Sequence, residues 1–291
     1  MNTKSTTGTG ATTKKMSDAW NWSVAVPLAG EKGAGGNEYV RFSTTRRGGV
    51  SKGEYGSFNL GAFCGDEAPC VAENRRRLCR ALSIAPGNLL IPRQIHADRV
   101  LAVDAAWMQL PPAEREAALD GFDALITALP GVAVAVTTAD CVPVVLVDLQ
   151  KGVVAAVHAG WRGTALRIVC RTIETMAALY GCEAAHIRAT VFPCIGRHAY
   201  PVGAEVIRAM AGAGIDPDAV AFRPEPDKEI FYLDLAAANI RLLMQAGVPE
   251  EQIERAAACT FSGERSFFSA RRQGFASGRM VSGALIRPGA E

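Results

Sequence analysis

Histidine is scarce in this chain: His96, His158, His186 and His198 are the only four in 291 residues. Chemistry that relies on imidazole therefore has few places to sit. Neither sign of charge is in excess. The net charge of +2 gives no electrostatic reason to expect nucleic acid or a membrane surface as a partner. No apolar run approaches the roughly 18 residues of a membrane-spanning helix. The lysines of the first 18 residues are followed by no apolar segment, so the start does not read as a secretory signal. Eight cysteines are scattered with no Cys-x-x-Cys pair, which reads as reduced thiols in a cytoplasmic protein, not a disulfide framework. The Gly-rich stretch 29–37 lacks the Gly-Lys-Ser/Thr ending of a phosphate loop and reads as a flexible turn.

What is present is a large apolar fraction, 49% against 21% charged, enough for a substantial core. Residues 1–18, rich in Thr, Gly and Lys, are expected to be a disordered tail. No internal repeat and no linker follows residue 37, so 19–291 are expected to form one domain. Apolar patterning and turn residues predict strands at 20–27, 39–44, 89–91, 100–103, 123–127, 132–136, 142–148, 153–157, 187–192 and 281–286, with another beginning at 259. Helices are predicted at 69–83, 111–119, 166–180, 204–211 and 253–258. A further helix runs to Gln245, capped by Asp234 and closed by Gly247. The fold class is α/β, with mixed strands and helices in one domain.

The stretch 131–164 is the most informative. It holds two apolar runs, each with a reactive residue at its polar end: Cys141 after Thr138-Ala139-Asp140, and His158 before Gly160-Trp161-Arg162-Gly163. A tight turn near 149–152 makes a hairpin in which facing residue numbers sum to roughly 301. Cys141 then faces about position 160, and His158 converges on it. A strand end running into a helix N-terminus is a common place for anions and reacting groups.

Cys141, His158 and His96, which follows Gln94 where a strand breaks, offer zinc three protein ligands. A fourth position is left for water or substrate, the pattern of a catalytic site. Asp140, adjacent to Cys141, is placed to act as a base or as a hydrogen-bonding partner behind the ligands. From spacing alone the alternative stays open: Cys141 as a small buried hydrophobe and the histidines as satisfied loop residues. Arg46-Arg47-Gly48-Gly49 reads either as an anion site, because Arg offers a planar fork, or as a solvated turn.

Five segments together resemble the YfiH family, also called the laccase-domain or polyphenol oxidase family. They are Phe42-Ser43-Thr44-Thr45-Arg46-Arg47-Gly48-Gly49-Val50-Ser51, Ser57-x-Asn59-Leu60-Gly61, Gln94-Ile95-His96, Thr138-Ala139-Asp140-Cys141-Val142-Pro143 and Val157-His158-Ala159-Gly160-Trp161-Arg162-Gly163-Thr164. The resemblance covers about residues 38–286. It implies mixed β-sheets flanked by helices and a zinc held by His96, Cys141 and His158. It also implies a purine nucleoside pocket, with Arg46, Asn59 and Arg162 meeting substrate or phosphate. The activities it implies are phosphorolysis of adenosine, inosine, guanosine and methylthioadenosine, and deamination of adenosine. Two positions depart from the family pattern: Phe192 replaces a Gly and is expected to narrow the pocket, and Ala270 replaces a Tyr.

Three other functions compete. A multicopper polyphenol oxidase needs far more ligands than four histidines supply, although copper can displace zinc at one such site in vitro. A Cys–His hydrolase would use Cys141 as nucleophile and His158 or His96 as base, acting on peptidoglycan precursors. A structural zinc would need a fourth protein ligand, for which Cys194 or His198 is available.

Overall fold

A computed structural model of the protein describes residues 26–289, apart from 226 and 228. The expected tail at 1–18 and most of the first expected strand lie outside the described residues. In chain order the strands are Val26–Lys32 (β1), Glu38–Ser43 (β2), Leu89–Leu90 (β3), Val100–Val103 (β4), Ala124–Thr127 (β5), Ala133–Thr138 (β6), Val142–Asp148 (β7), Val153–Ala159 (β8), Ile187–Val191 (β9), Pro201–Gly203 (β10), Ala221–Phe222 (β11), Ile230–Leu233 (β12), Ile253–Arg255 (β13) and Met280–Arg287 (β14). They make a five-stranded sheet β1-β2-β14-β6-β3, a six-stranded sheet β13-β9-β7-β8-β5-β4, and a small sheet β10-β12-β11. Both large sheets are mixed: β3 with β6, β4 with β5 and β13 with β9 run parallel, among antiparallel neighbours.

The apolar run of β7 is continuous because both of its faces are covered. Val145 and Val147 meet Val134, Val136 and Ile286 of the five-stranded sheet. Val144 and Leu146 meet the helices Ile168–Tyr180, Ala204–Gly212 and Leu235–Gln245. On the far side of the five-stranded sheet, Leu78 and Leu82 of the helix Ala68–Leu82 pack with Val40, Phe42 and Ala133. The result is four layers, helix–sheet–sheet–helix, in one mixed α/β domain.

The β7–β8 hairpin has the predicted register, from Asp148 opposite Val153 to Val142 opposite Ala159. Four other predictions need correction. The expected helix 166–180 is two helices, Trp161–Ala165 and Ile168–Tyr180, broken where Arg167 adopts φ 61°. Leu166, counted into the apolar period, is exposed in that break. The expected helix 253–258 is instead strand β13, because a place beside β9 outweighs local propensity. The expected strand from 259 is only a bridge, Cys194 to Cys259. The Gly-rich stretch is strand as far as Lys32.

One topological feature positions the chemistry. β6 and β7 are consecutive in sequence but lie in different sheets. Residues 139–141 therefore form the corner where the chain passes between layers, and Asp140 turns it with φ 97°. The carbonyl of Asp140 is held by the N–H of Ile195 at 3.0 Å. Cys141 leaves this corner at the open end of the hairpin.

Candidate active site and metal centre

His158 is the penultimate residue of β8, so hairpin pairing sets it beside Cys141. His96 arrives from a different part of the chain, on the loop before β4. The candidate ligand atoms of His96, Cys141 and His158 all lie within 4.8 Å of one another. Cys141 Sγ is 3.9 Å from His96 Nε2, and the two imidazole rings meet edge to face with centroids 4.7 Å apart. Gly160 makes this convergence possible. A Cβ there would stand 3.0 Å from His96 Cδ2 and 3.1 Å from Cys141 Sγ.

The residue that organises the cluster is Asp123, which is fully buried at the head of β5. Its carboxylate accepts from His158 Nδ1 at 2.8 Å and from the backbone N–H groups of Ile95, His96 and Ala97 at 3.1, 3.0 and 2.9 Å. Its own carbonyl accepts the N–H of His158 at 2.8 Å. One acid thus bends the His96 loop, where His96 itself has φ 62°, and aims the His158 ring with Nε2 toward Cys141. Gln94 secures the same loop from the other side. Its amide exchanges hydrogen bonds with the Thr137 backbone at 2.8 Å in each direction, as a neighbouring strand residue would. Sequence reasoning gave Asp123 no role. The available signal was a lone acid heading a wholly apolar buried strand, a position that requires partners.

The electrostatics follow from these contacts. Burial opposes ionisation of Cys141, but His158 and His96 outweigh it and bring the thiol down to about 6. Burial likewise opposes protonation of His158, yet Cys141 and Asp123 raise it to about 9. Burial would raise the Asp123 carboxyl, and His158 with the loop N–H groups holds it below its ordinary value. Thiolate beside imidazolium is therefore the preferred form of the metal-free pair.

The cluster opens into a cavity of about 690 Å³. Arg75, Arg93, Arg162, Arg271 and Arg279 line it, and Asp140 is the one acid in its wall. Of the residues expected to meet substrate, Arg162 lines the cavity, stacked on Trp161. Arg46 and Asn59 do not. Arg46 lies over the Phe268 ring and donates to the carbonyls of Gly56 and Glu264. Asn59 is fully buried, bonding Asp66, Gly61 and the N–H of Arg279. Both order the surrounding loops.

Asp140 lines the cavity, but its oxygens are engaged. Oδ1 accepts from Thr260 Oγ1 at 2.6 Å, and Oδ2 accepts from Ser269 Oγ and the N–H of Arg271 at 3.0 and 2.7 Å. Phe192 corrects an expectation: it is buried between the two sheets and does not line the cavity. Ala270 does line it. His198 packs on Phe222, and Cys194 pairs as a bridge with Cys259. Among the described residues neither joins the cluster, which keeps three ligands.

The donor set suits zinc: one thiol with a depressed pKa, one imidazole whose far nitrogen is fixed by a carboxylate, and a second imidazole facing the sulfur. A three-ligand set beside a cavity leaves coordination open to a reactant.

A family model described as multi-copper polyphenol oxidoreductase laccase matches residues 40–287. A purine nucleoside phosphorylase of Bacteroides thetaiotaomicron is 40% identical over 245 residues, covering 84% of this chain and 90% of that protein. An adenosine deaminase from an unknown prokaryotic organism is 41% identical over 242 residues, covering 83% and 92%. Among solved structures, YlmD from Geobacillus stearothermophilus matches with a TM-score of 0.80 at 30% identity, covering 90% of this chain and 99% of that one. A Bacillus licheniformis protein, YfiH, also gives 0.80, at 31% identity over 85% of this chain and 92% of that one.

Proposed function

Since the chain belongs to this laccase-domain family of YfiH and YlmD, we propose that it is a zinc-dependent purine nucleoside phosphorylase that also deaminates adenosine. The observation that carries this reading is a three-ligand cluster opening into a cavity walled by five arginines. Such a wall suits a reaction in which an anion joins a neutral nucleoside. The names of the two relatives agree with it. Zinc held by His96, Cys141 and His158 would supply a Lewis acid at the cavity wall.

The chain's own residues perform the rest. Asp123, 2.8 Å from His158 Nδ1, would keep the proton of His158 on that nitrogen and leave Nε2 for a bound metal. Gln94 and Gly160 hold the His96 loop and the sulfur at a fixed approach. Asp140 positions Thr260, Ser269 and the backbone of Arg271 around the cavity. No described helix is long and apolar enough to cross a membrane. With eight free thiols, the cytoplasm is the compartment we propose.

A second reading has its own observation. Asp123, His158 and Cys141 also form an acid–imidazole–thiol series with a depressed thiol, the arrangement of a Cys–His hydrolase. Peptidoglycan precursors would be its substrates. Metal content and adenosine turnover in phosphate buffer separate the two, because a thiolate bound to zinc is not a free nucleophile. A multicopper oxidase is disfavoured: after this cluster, two histidines remain in the sequence for every further copper.

A further inference from the structure

Three of the five cavity arginines are hydrogen-bonded or ion-paired, and a fourth, Arg162, is exposed to solvent. Arg93 pairs with Asp120 at 3.4 Å and lies over Phe63. Arg162 stacks on Trp161. Arg271 lies over Tyr200 and donates to the Pro201 carbonyl. Arg279 gives its Nη groups to the carbonyls of Phe275, Ser277 and Gly278.

Arg75 is different. It belongs to the helix Ala68–Leu82, where the acid Glu73 pairs with Arg76, Arg77 and Arg80. Arg75 instead lines the cavity. Its Nε donates to the Leu60 carbonyl at 3.1 Å, and its Nη groups have no hydrogen bond or ion pair with any described residue. Its place is fixed by its neighbour. Asn74 is fully buried, donates to Ser51 Oγ and to the carbonyls of Ser57 and Asn59, and accepts from the N–H of Val50. Burial pushes the Arg75 guanidinium below its ordinary pKa, with Cys79, Glu116 and Cys64 acting the other way. A half-buried guanidinium with both Nη groups unpaired, carried on a helix that the buried Asn74 fixes in place, offers its fork to an anion entering the cavity.

We propose that Arg75 is the phosphate-binding residue of this cavity, a role that rests on the phosphorylase reading. A guanidinium fork presents two parallel N–H groups to two phosphate oxygens, which a point charge cannot do. In the reaction one oxygen of hydrogen phosphate bonds to ribose C1′ and the C1′–N9 bond breaks. Its electron pair leaves with the purine, which takes up the proton that the phosphate gives up. Arg75 holds two of the three oxygens that do not react.

The test is steady-state kinetics of the zinc-loaded enzyme with phosphate as the varied substrate, for wild type, R75K and R75Q. Adenosine deamination, which consumes no phosphate, is measured on the same samples. The expected result is a KM for phosphate raised at least about tenfold in R75Q, equivalent to about 1.4 kcal/mol, and by less in R75K. KM for the nucleoside moves little, so the ratio of phosphorolysis to deamination falls. Phosphate should raise the Tm of wild type and not that of R75Q. An unchanged KM for phosphate in R75K and R75Q overturns the assignment. Deamination in wild type with no phosphate-dependent base release overturns the phosphorylase reading itself. If R75Q does not fold, the KM of R75K alone decides.

Discussion

The carboxylate of Asp123 lies 2.8 Å from Nδ1 of His158, and the same carboxylate takes the backbone N–H of His96 at 3.0 Å. One buried acid therefore orients the His158 imidazole and holds the backbone at His96, two residues that are 62 positions apart in the sequence.

Asp123→Asn should weaken zinc binding by about 10–100-fold, the usual cost of losing a partner behind a ligating histidine. Competition against a chromogenic chelator measures it. Unchanged affinity would mean that the His158 ring is held by something else.

Gly160→Ala tests the geometry without touching a ligand. Its new methyl would press on His96 Cδ2 and Cys141 Sγ at 3.0 and 3.1 Å. The backbone at Gly160 has φ −69°, which alanine adopts freely, so the fold should survive. Lower zinc occupancy with a Tm near that of wild type is the expected result. Full occupancy would show that the ligands need less space than this.

The metal-free protein should release a proton when it binds zinc at neutral pH. Cys141, lowered to about 6, is already ionised there, whereas His158, raised to about 9, still carries its proton. Zinc needs both groups deprotonated, so affinity rises with pH through this window and levels off above about 9 as far as this pair is concerned. The stability of the metal-free form follows the same groups with the opposite limits. The raised His158 contributes fully below its ordinary value of 6.5, and the contribution fades as pH rises through about 9. The lowered Cys141 contributes above its ordinary value of 9.0, and the contribution fades as pH falls through about 6. Calorimetric titration in buffers of different ionisation enthalpy counts the protons; none released at pH 7.5 would contradict the thiolate–imidazolium pair.

Asp140→Asn separates positioning from base catalysis. Both of its oxygens carry internal hydrogen bonds, so the substitution should cost about 1–3 kcal/mol of stability, seen as a lower Tm. The pH–rate profile of the surviving enzyme should keep its shape. Disappearance of the acidic limb would make Asp140 the base after all.

The hairpin could be read from the sequence because it is local. Two apolar runs and a four-residue turn sufficed to pair Val142 with Ala159. What could not be read depends on distant partners. β13 is a strand because β9 lies beside it. Arg46 resembles an anion binder in its motif; in the fold it lies over the Phe268 ring and donates to the Glu264 carbonyl, both more than 200 positions away, as well as to the nearby Gly56 carbonyl. Arg75 sits in a run of three arginines with no mark to distinguish it. Only the position of Glu73, and the cavity on the other side, separate it from Arg76 and Arg77. Asp123 meets its four donors through the crossing of a loop and two strands, a geometry that no spacing encodes.

The most direct test of the account is zinc content per chain together with adenosine turnover in phosphate buffer, for wild type and Cys141→Ala. The account predicts one zinc per wild-type chain, with base release and inosine formation both lost, along with the metal, in the mutant. A metal-free wild type that still turns over adenosine, and is silenced by alkylation of Cys141, would contradict it and make that cysteine a nucleophile.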